Sequence, residues 1–513
     1  MHASDPHTRP AASDPGRFTV TWPELRRRFE AHDLFEGVVA GADAPDLPAL
    51  DIEHLTDDSR AVEAGGAFVA IRGTAADGHT YIEPAVEAGA RLVVCETVPE
   101  AARERFPATH FVDVTDTRVA LAEMAAALYD DPADALRMVG VTGTNGKTTV
   151  AFLLHHLLDA LGETAGLLST IEVRAGTDTD TAALTTPGPV ELQRTLRRMV
   201  DHDCTACAME VSSHALDQDR VHGIDYDIAI FTNLTVDHLD YHGTPLAYRL
   251  AKKKLFDELG PDATAFYNAD DENGPNMVAD TAATPVSFAL DRDADVRPEI
   301  LESSLDGVRL AFDGRECDMR LAGRFNAYNA AAAYGTGRAL GYDPDAVVDA
   351  LADAPPVPGR FEQLFFEGGP TVIVDYAHTP DALEHILQAV REMSPATATL
   401  WCVFGCGGDR DPTKRRTMGS IAEQQADRVI VTSDNPRTED PEGILNDIRR
   451  GVSRPTDMHW IVDREAAIQA AADEAGPDDV VVIAGKGHET HQVIGTEKRP
   501  FDDRTIARKH FSR

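Results

Sequence analysis

The stretch Met138-Val-Gly-Val-Thr-Gly143-Thr-Asn-Gly146-Lys147-Thr148-Thr149-Val150 decides how this chain is read. It opens as a short apolar run, passes through a glycine-rich turn and continues into a helical pattern. Val150, Phe152, Leu153, Leu154, Leu157, Leu158 and Leu161 fall on one stripe of that helix. Strand, glycine loop and helix in this order make a phosphate cradle, because glycines let backbone N–H groups approach an anion and the helix N-terminus adds its own. Lys147 supplies a point charge, and Thr148 a hydroxyl able to ligate Mg²⁺. The strict form of this motif would carry glycine five residues before Gly146, where Val141 stands. The loop departs from the generic spacing and keeps its context.

Working outward, buried-looking strands recur at Ala206–Val211 and Asp227–Asn233, with helical stretches between them. Glu210 ends the first of these strands and His238 follows the second, so both fall at the carboxyl edge of a sheet, where open α/β folds bind ligands. A carboxylate and an imidazole there could hold a second divalent ion, whereas His242 reads as an ordinary loop histidine. A proline-rich hinge, Ala354-Pro-Pro-Val-Pro-Gly359, precedes a third block of alternating strands and helices, and a smaller alternating block runs from about Phe18 to Asp134. The expected fold is α/β in three domains: a flexible polar tail over residues 1–17, a small α/β N-terminal domain over 18–136, a central P-loop-type parallel-sheet ATPase domain over 137–355, and a C-terminal Rossmann-like domain over 356–513.

Composition excludes several functions. With 48 basic and 86 acidic residues the net charge is −38, the wrong sign for a nucleic-acid backbone or an anionic membrane surface. The acid is spread along a chain that is 43% hydrophobic, which is the texture of a globular protein. Two readings of that charge stand side by side: a surface adapted to high salt, or simply an acidic cytosolic protein. No apolar run reaches the ~18–20 residues of a membrane span. The polar N-terminus has no secretory apolar region, and six cysteines over this length make no disulfide framework. Cys204 and Cys207 have redox spacing but fall at a buried strand. The expectation is a cytoplasmic, monomeric protein.

The remaining motifs occur in a fixed order: Asp58-Ser-Arg60, the loop at Gly143, Glu210-Val-Ser-Ser-His214, Asn233 to Gly243, Ala251-Lys252 with Leu255-Phe256, and Gly323-Arg-Phe-Asn326. Pro358-Gly-Arg360, Asp375-Tyr-Ala-His378, Gly405 to Asp411, Asp434-Asn-Pro-Arg437 and Gly485-Lys-Gly-His-Glu489 complete the set. In this combination the chain resembles the Mur ligases of peptidoglycan precursor synthesis, over nearly its whole length after about residue 45. It is most similar to the branch that adds the third peptide residue.

The resemblance implies roles residue by residue. Ser59 and Thr74, Ala75 and Ala76 match the uridine-diphosphate stretch; Thr185, Thr186, Ser212, Gln218 and Arg220 match the site of the muramoyl-peptide. Gly143, Thr144, Asn145, Gly146, Lys147, Thr148 and Thr149 match the ATP loop, with Asn326, Arg360 and Asp375 as further nucleotide contacts and His378 nearby. Thr148, Glu210, His238 and Lys252 match the magnesium positions, Lys252 as a carbamate (N6-carboxylysine); read without the family, its lysine run is a solvated helix face. Arg410, Asp434, Asn435, Pro436, Arg437, Gly485 and Glu489 match the pocket for the incoming amino acid. By itself Arg437 reads as a surface arginine beside a turn proline.

The implied activity is an ATP- and Mg²⁺-dependent ligation of meso-diaminopimelate to the D-glutamate of UDP-N-acetylmuramoyl-L-alanyl-D-glutamate, through an acyl phosphate, with Lys147, Glu210, His238 and Lys252 catalytic. The partners are then these small molecules alone, with no nucleic acid and no membrane. The alternatives are the same ligase using L-lysine, a folylpolyglutamate-synthetase-type ligase, and an ATP-dependent switch without catalysis.

Overall fold

The computed structural model describes residues 18–39, 42–44, 46–73 and 76–512. The expected tail at 1–17, with Thr74 and Ala75, lies outside the described residues. The chain divides into two compact units. Residues up to Leu136 join Pro187–His202 and Ala215–Asp225 in the first; Arg137–Thr186, Asp203–His214 and everything from Tyr226 on form the second.

The first unit is built on a five-stranded sheet in the order Phe35–Val39, His110–Val114, Leu92–Cys95, Ala67–Val69, Leu55–Thr56. All pairings are parallel except that of Phe35–Val39 with His110–Val114. Strand periodicity explains its two cores: Ala67, Val69, Leu92 and Val94 face one, while Phe68, Val93 and Cys95 face the other. The helix Thr117–Leu128 starts at Asp116, whose carboxylate accepts from the amides of Arg118 and Val119. Against it packs the helix Pro189–Asp201, which buries Leu192, Leu196 and Met199. That helix and the 215–225 segment lie in the central block of the sequence yet belong to this unit. An apolar helix stripe demands cover, but nothing local to it says which sheet supplies it.

The second unit holds an eight-stranded sheet with the order Asp178–Thr181, Glu172–Ala175, Ala165–Leu168, Ala206–Glu210, Arg137–Thr142, Ile228–Phe231, Thr264–Asn268, Thr284–Phe288. Its six strands from Ala165–Leu168 onward run parallel. The strand Arg137–Thr142 is central, and the helix Lys147–Ala160 that follows the glycine loop packs against the alanine-rich helix Arg324–Ala339. Ala330 to Ala333 are fully buried there, small enough to let the two helices approach.

A six-stranded sheet in the same unit runs Glu362–Leu364, Thr371–Asp375, Val480–Ala484, Leu400–Phe404, Arg428–Val431, His459–Trp460, parallel after its first pairing. The α/β architecture with mixed, mainly parallel sheets is as expected. The proline-rich segment that precedes this sheet in sequence is packed: Val357 is buried with Ala151, Phe152 and Leu167 of the eight-stranded half. Arg464 and Asp503, both fully buried, pair at 2.7 and 2.8 Å, and Arg464 also donates to the carbonyls of Ser433 and Ala484. This fork ties the C-terminal helix to the carboxyl edge of the sheet, where the Asp434–Arg437 turn begins.

Candidate functional site

The carboxyl ends of Arg137–Thr142, Ala206–Glu210 and Ile228–Phe231 converge on one cavity of about 220 Å³. Its wall includes Thr144, Asn145, Gly146, Lys147, Thr148, Thr185, Glu210, Ser212, His238 and Lys252 from the larger sheet. Arg360, Asp375 and His378 from the six-stranded half complete it. Gly146 needs its glycine twice over: φ is +87°, and an added Cβ would stand 2.7 Å from Asn329 Oδ1.

The loop is held from several sides. Lys147 Nζ donates to the carbonyls of Gly143 and Thr144, each at 2.8 Å. Asn145 N–H donates to Asn233 Oδ1, and Thr144 Oγ1 lies 3.1 Å from Tyr248 Oη. Lys252 is buried and donates to the same Gly143 carbonyl at 2.7 Å, with its Nζ 4.6 Å from the centre of the Tyr248 ring. Burial, reinforced by the charge of Lys147, pushes the Lys252 amine well below the usual lysine range. Lys147 is lowered by burial too, with Glu210 opposing.

Glu210 is almost fully buried, its carboxylate accepting from Thr170 N at 2.7 Å and Thr170 Oγ1 at 3.1 Å. Thr186 Oγ1 donates to the Glu210 carbonyl and accepts from Ser212 N, so Thr186 fixes the strand end without entering the cavity. His238 has a left-handed backbone (φ 53°) and lies 3.5 Å from Asp237. Burial lowers its pKa, and nearby Lys147 and Lys252 lower it further against the pull of Asp237. Asp375 accepts from Phe361 N and Ala377 N, both at 2.7 Å; burial raises its pKa. Arg360 stacks over Tyr376, its Cζ 4.6 Å from the ring centre.

The donors fit a hard divalent ion in part. The Thr148 hydroxyl and Glu210 carboxylate are the oxygen donors such an ion prefers, and they share the wall with His238. As an amine Lys252 does not belong beside a cation; as a carbamate it would.

A second cavity, of about 1190 Å³, shares Thr185, His238, Tyr376 and His378 with the first. It is lined by Arg410, Asp434, Asn435, Arg437, Gly485 and Glu489, so the expected amino-acid pocket comes together apart from Pro436. Asn435 donates to Glu489 at 2.8 Å and accepts from Lys486 Nζ and Val493 N. Arg437, at φ 50°, donates to the Gly408 carbonyl at 2.7 Å.

Some expected residues stand elsewhere. Gly143 and Thr149 are not in the first cavity's wall, Gly143 acting through its carbonyl. Asn326 is buried one layer behind: it donates to Ala322 and accepts from Asn329, the residue that meets the loop at Gly146. Ser59, Ala76, Gln218 and Arg220 belong to the first unit, where Arg220 donates to Gln218 at 2.7 Å and Ser59 opens a short 3₁₀ turn after Asp58. Sequence reasoning missed Thr170, Tyr248 and Asn329. Tyr248 was within reach of it, lying one helical turn before Lys252 on the same face.

Fold and cavity together define a P-loop α/β protein that can hold a phosphorylated ligand against a buried carboxylate and a buried lysine. Three family descriptions match: "Mur ligase family, catalytic domain" over residues 51–129, "Mur ligase middle domain" over 141–337, and "Mur ligase, glutamate ligase domain" over 359–487. A UDP-N-acetylmuramoyl-L-alanyl-D-glutamate--2,6-diaminopimelate ligase from Parabacteroides distasonis is 44% identical over 466 residues, covering 90% of this chain and 95% of its own. The ligase of the same description from Geobacillus kaustophilus is 44% identical over 475 residues, covering 90% and 94%. A solved structure of a ligase so described aligns with a TM-score of 0.65 at 34% identity, covering 91% of this chain and 96% of that one. The chain belongs to the Mur ligase family.

Proposed function

We propose that this protein is the ATP-dependent, ADP-forming ligase that joins meso-diaminopimelate to the D-glutamyl carboxylate of UDP-N-acetylmuramoyl-L-alanyl-D-glutamate, a step in building the peptidoglycan precursor. The observation that carries this reading is the meeting of the phosphate loop, Glu210, His238 and Lys252 with Arg360 and Asp375 around one cavity, beside a second cavity lined by Arg410, Asp434, Asn435 and Arg437. Relatives so described align over nine-tenths of the chain.

A carboxylate is a poor acyl donor, so the γ-phosphoryl group is first moved onto it; the amine then attacks the acyl phosphate and phosphate leaves. Both partners in the first step are anions. Lys147 and the N–H groups at the start of the Lys147–Ala160 helix offset their repulsion and stabilise charge on the transferring group. Thr148, Glu210, His238 and a carbamylated Lys252 would hold Mg²⁺, which supplies charge neutralisation and orientation when bound. Asp375 and Arg360 serve the nucleotide; Arg437 grips the distal carboxylate of the amino acid. Ser59, the 74–76 stretch, Gln218 and Arg220 serve the uridine diphosphate and muramoyl-peptide. The three sequence blocks divide the work accordingly, and the enzyme acts as a monomer in the cytoplasm.

The test is ADP release with each substrate left out in turn. Turnover should require both the muramoyl-dipeptide and the amino acid; release independent of the acceptor would indicate a switch or a different ligase.

A further inference from the structure

We propose that His32, Glu123 and His222, all in the first unit and away from the phosphate loop in sequence, form a binding site for a divalent transition-metal ion of the zinc class. The three ligands come from separate segments: the C-terminal end of the helix Trp22–Ala31, the middle of the helix Thr117–Leu128, and the 215–225 segment. Glu123 Oε1 stands 3.2 Å from His32 Nε2 and 3.4 Å from His222 Nε2. One ligand atom from each of the three lies within 4.8 Å of the others. A tetrahedral ion with bonds of about 2.0–2.1 Å has a ligand–ligand edge of about 3.3 Å, so two edges are already at that length and the third closes by turning a histidine ring. The rings stand edge to face at 74°, centres 5.3 Å apart, an arrangement that lets both nitrogens converge on one point.

The carboxylate is divided between two tasks. Oε1 faces the histidines, while Oε2 lies 3.5 Å from Arg28 Nη1. Arg28 is itself held by Asp131 through both of its terminal nitrogens, so it serves as an outer partner that orients Glu123 and leaves the near oxygen to the ion. Glu123 is buried whereas His32 is exposed, which gives the ion a route in and leaves a fourth position for water or an external ligand. Two imidazoles and one carboxylate suit zinc better than magnesium or calcium, which prefer oxygen donors throughout. A bound ion would fasten the 215–225 segment to the helices of its unit.

The test uses the untagged full-length protein, stripped with chelator and titrated with Zn²⁺ by calorimetry and with Co²⁺ by visible absorption. One equivalent of Co²⁺ should show the strong absorption of a tetrahedral site. Glu123→Gln and His222→Ala should each weaken that equivalent at least about tenfold. The exposed His32→Ala, which disturbs little packing, should do the same, while His238→Ala should leave the signal intact. A folded protein that takes up no Zn²⁺, or whose tetrahedral Co²⁺ spectrum survives in both His32→Ala and Glu123→Gln, would overturn the assignment. So would loss of the signal only in His238→Ala.

Discussion

Lys147 and Lys252 donate to one and the same acceptor, the carbonyl oxygen of Gly143, at 2.8 and 2.7 Å. Two ammonium groups sharing one oxygen repel each other, and the repulsion is relieved if one of them gives up its charge. Lys252 is the one driven furthest down, because it is fully enclosed and faces the charge of Lys147. A neutral amine can add CO₂. The carbamate that results turns the repulsive neighbour into an anion beside Lys147.

If the working group is the proposed carbamate anion, Lys252→Ala should be nearly inactive and partly rescued by a small added carboxylic acid. Lys252→Arg, which preserves a cation, should be neither active nor rescued. The measurement is ADP release with and without the acid. Full activity in Lys252→Ala would remove the residue from the mechanism.

Lys147→Ala should lower kcat by about a thousandfold or more, about 4 kcal/mol of transition-state stabilisation. Its melting temperature should barely move, because the Nζ donates only to two carbonyls of its own loop and Gly143 keeps a bond from Lys252. Near-normal kcat in a folded variant would break the phosphate-loop assignment.

The cradle was legible because strand, glycine turn and helix stripe are contiguous, and Glu210 because a strand end locates itself. Lys252 was only half legible: three lysines in a row read as solvated, yet the first is buried and its Nζ donates to a carbonyl more than a hundred residues away. Asn326 shows the same limit from the other side. Its motif sits at a helix start near the loop, but whether it faces ligand or lies one layer behind depends on Asn329 and the packing of two helices. His32, Glu123 and His222 have no spacing that points to one another; only the folded first unit brings them together.

Stability should fall on acidification, and His488 should contribute to the fall. Burial first, then the charges of Arg360, Arg504 and Lys486, depress its pKa from 6.5 to about 3. Between those values the unfolded chain binds a proton that the folded chain refuses, so stability rises with pH across the window. The contribution is complete above about pH 6.5 and is lost as pH falls towards about 3. Melting curves between neutral and mildly acidic pH should show a shallower loss for His488→Gln than for the unmodified protein; equal slopes would contradict this.

The −38 charge should make the protein more stable and more active in molar salt, if the surface is adapted to it. The Debye length shrinks from about 10 Å at 0.1 M to about 3 Å at 1 M, which screens diffuse self-repulsion. A melting temperature flat or falling over that range would refute salt adaptation while leaving the ligase reading untouched.

The most direct test of the whole account is a competition between meso-diaminopimelate and L-lysine on UDP-N-acetylmuramoyl-L-alanyl-D-glutamate, with the product weighed by mass spectrometry and kcat/KM measured for each. Arg437 lines the larger cavity with Arg410, and a guanidinium can grip at two points the distal carboxylate that diaminopimelate carries and lysine lacks. The account predicts the diaminopimelyl tripeptide, ADP and phosphate in equal amounts, and a preference of at least about a hundredfold, or about 2.7 kcal/mol, that narrows in Arg437→Ala. Equal kcat/KM for the two amino acids, or no tripeptide with either, would contradict it.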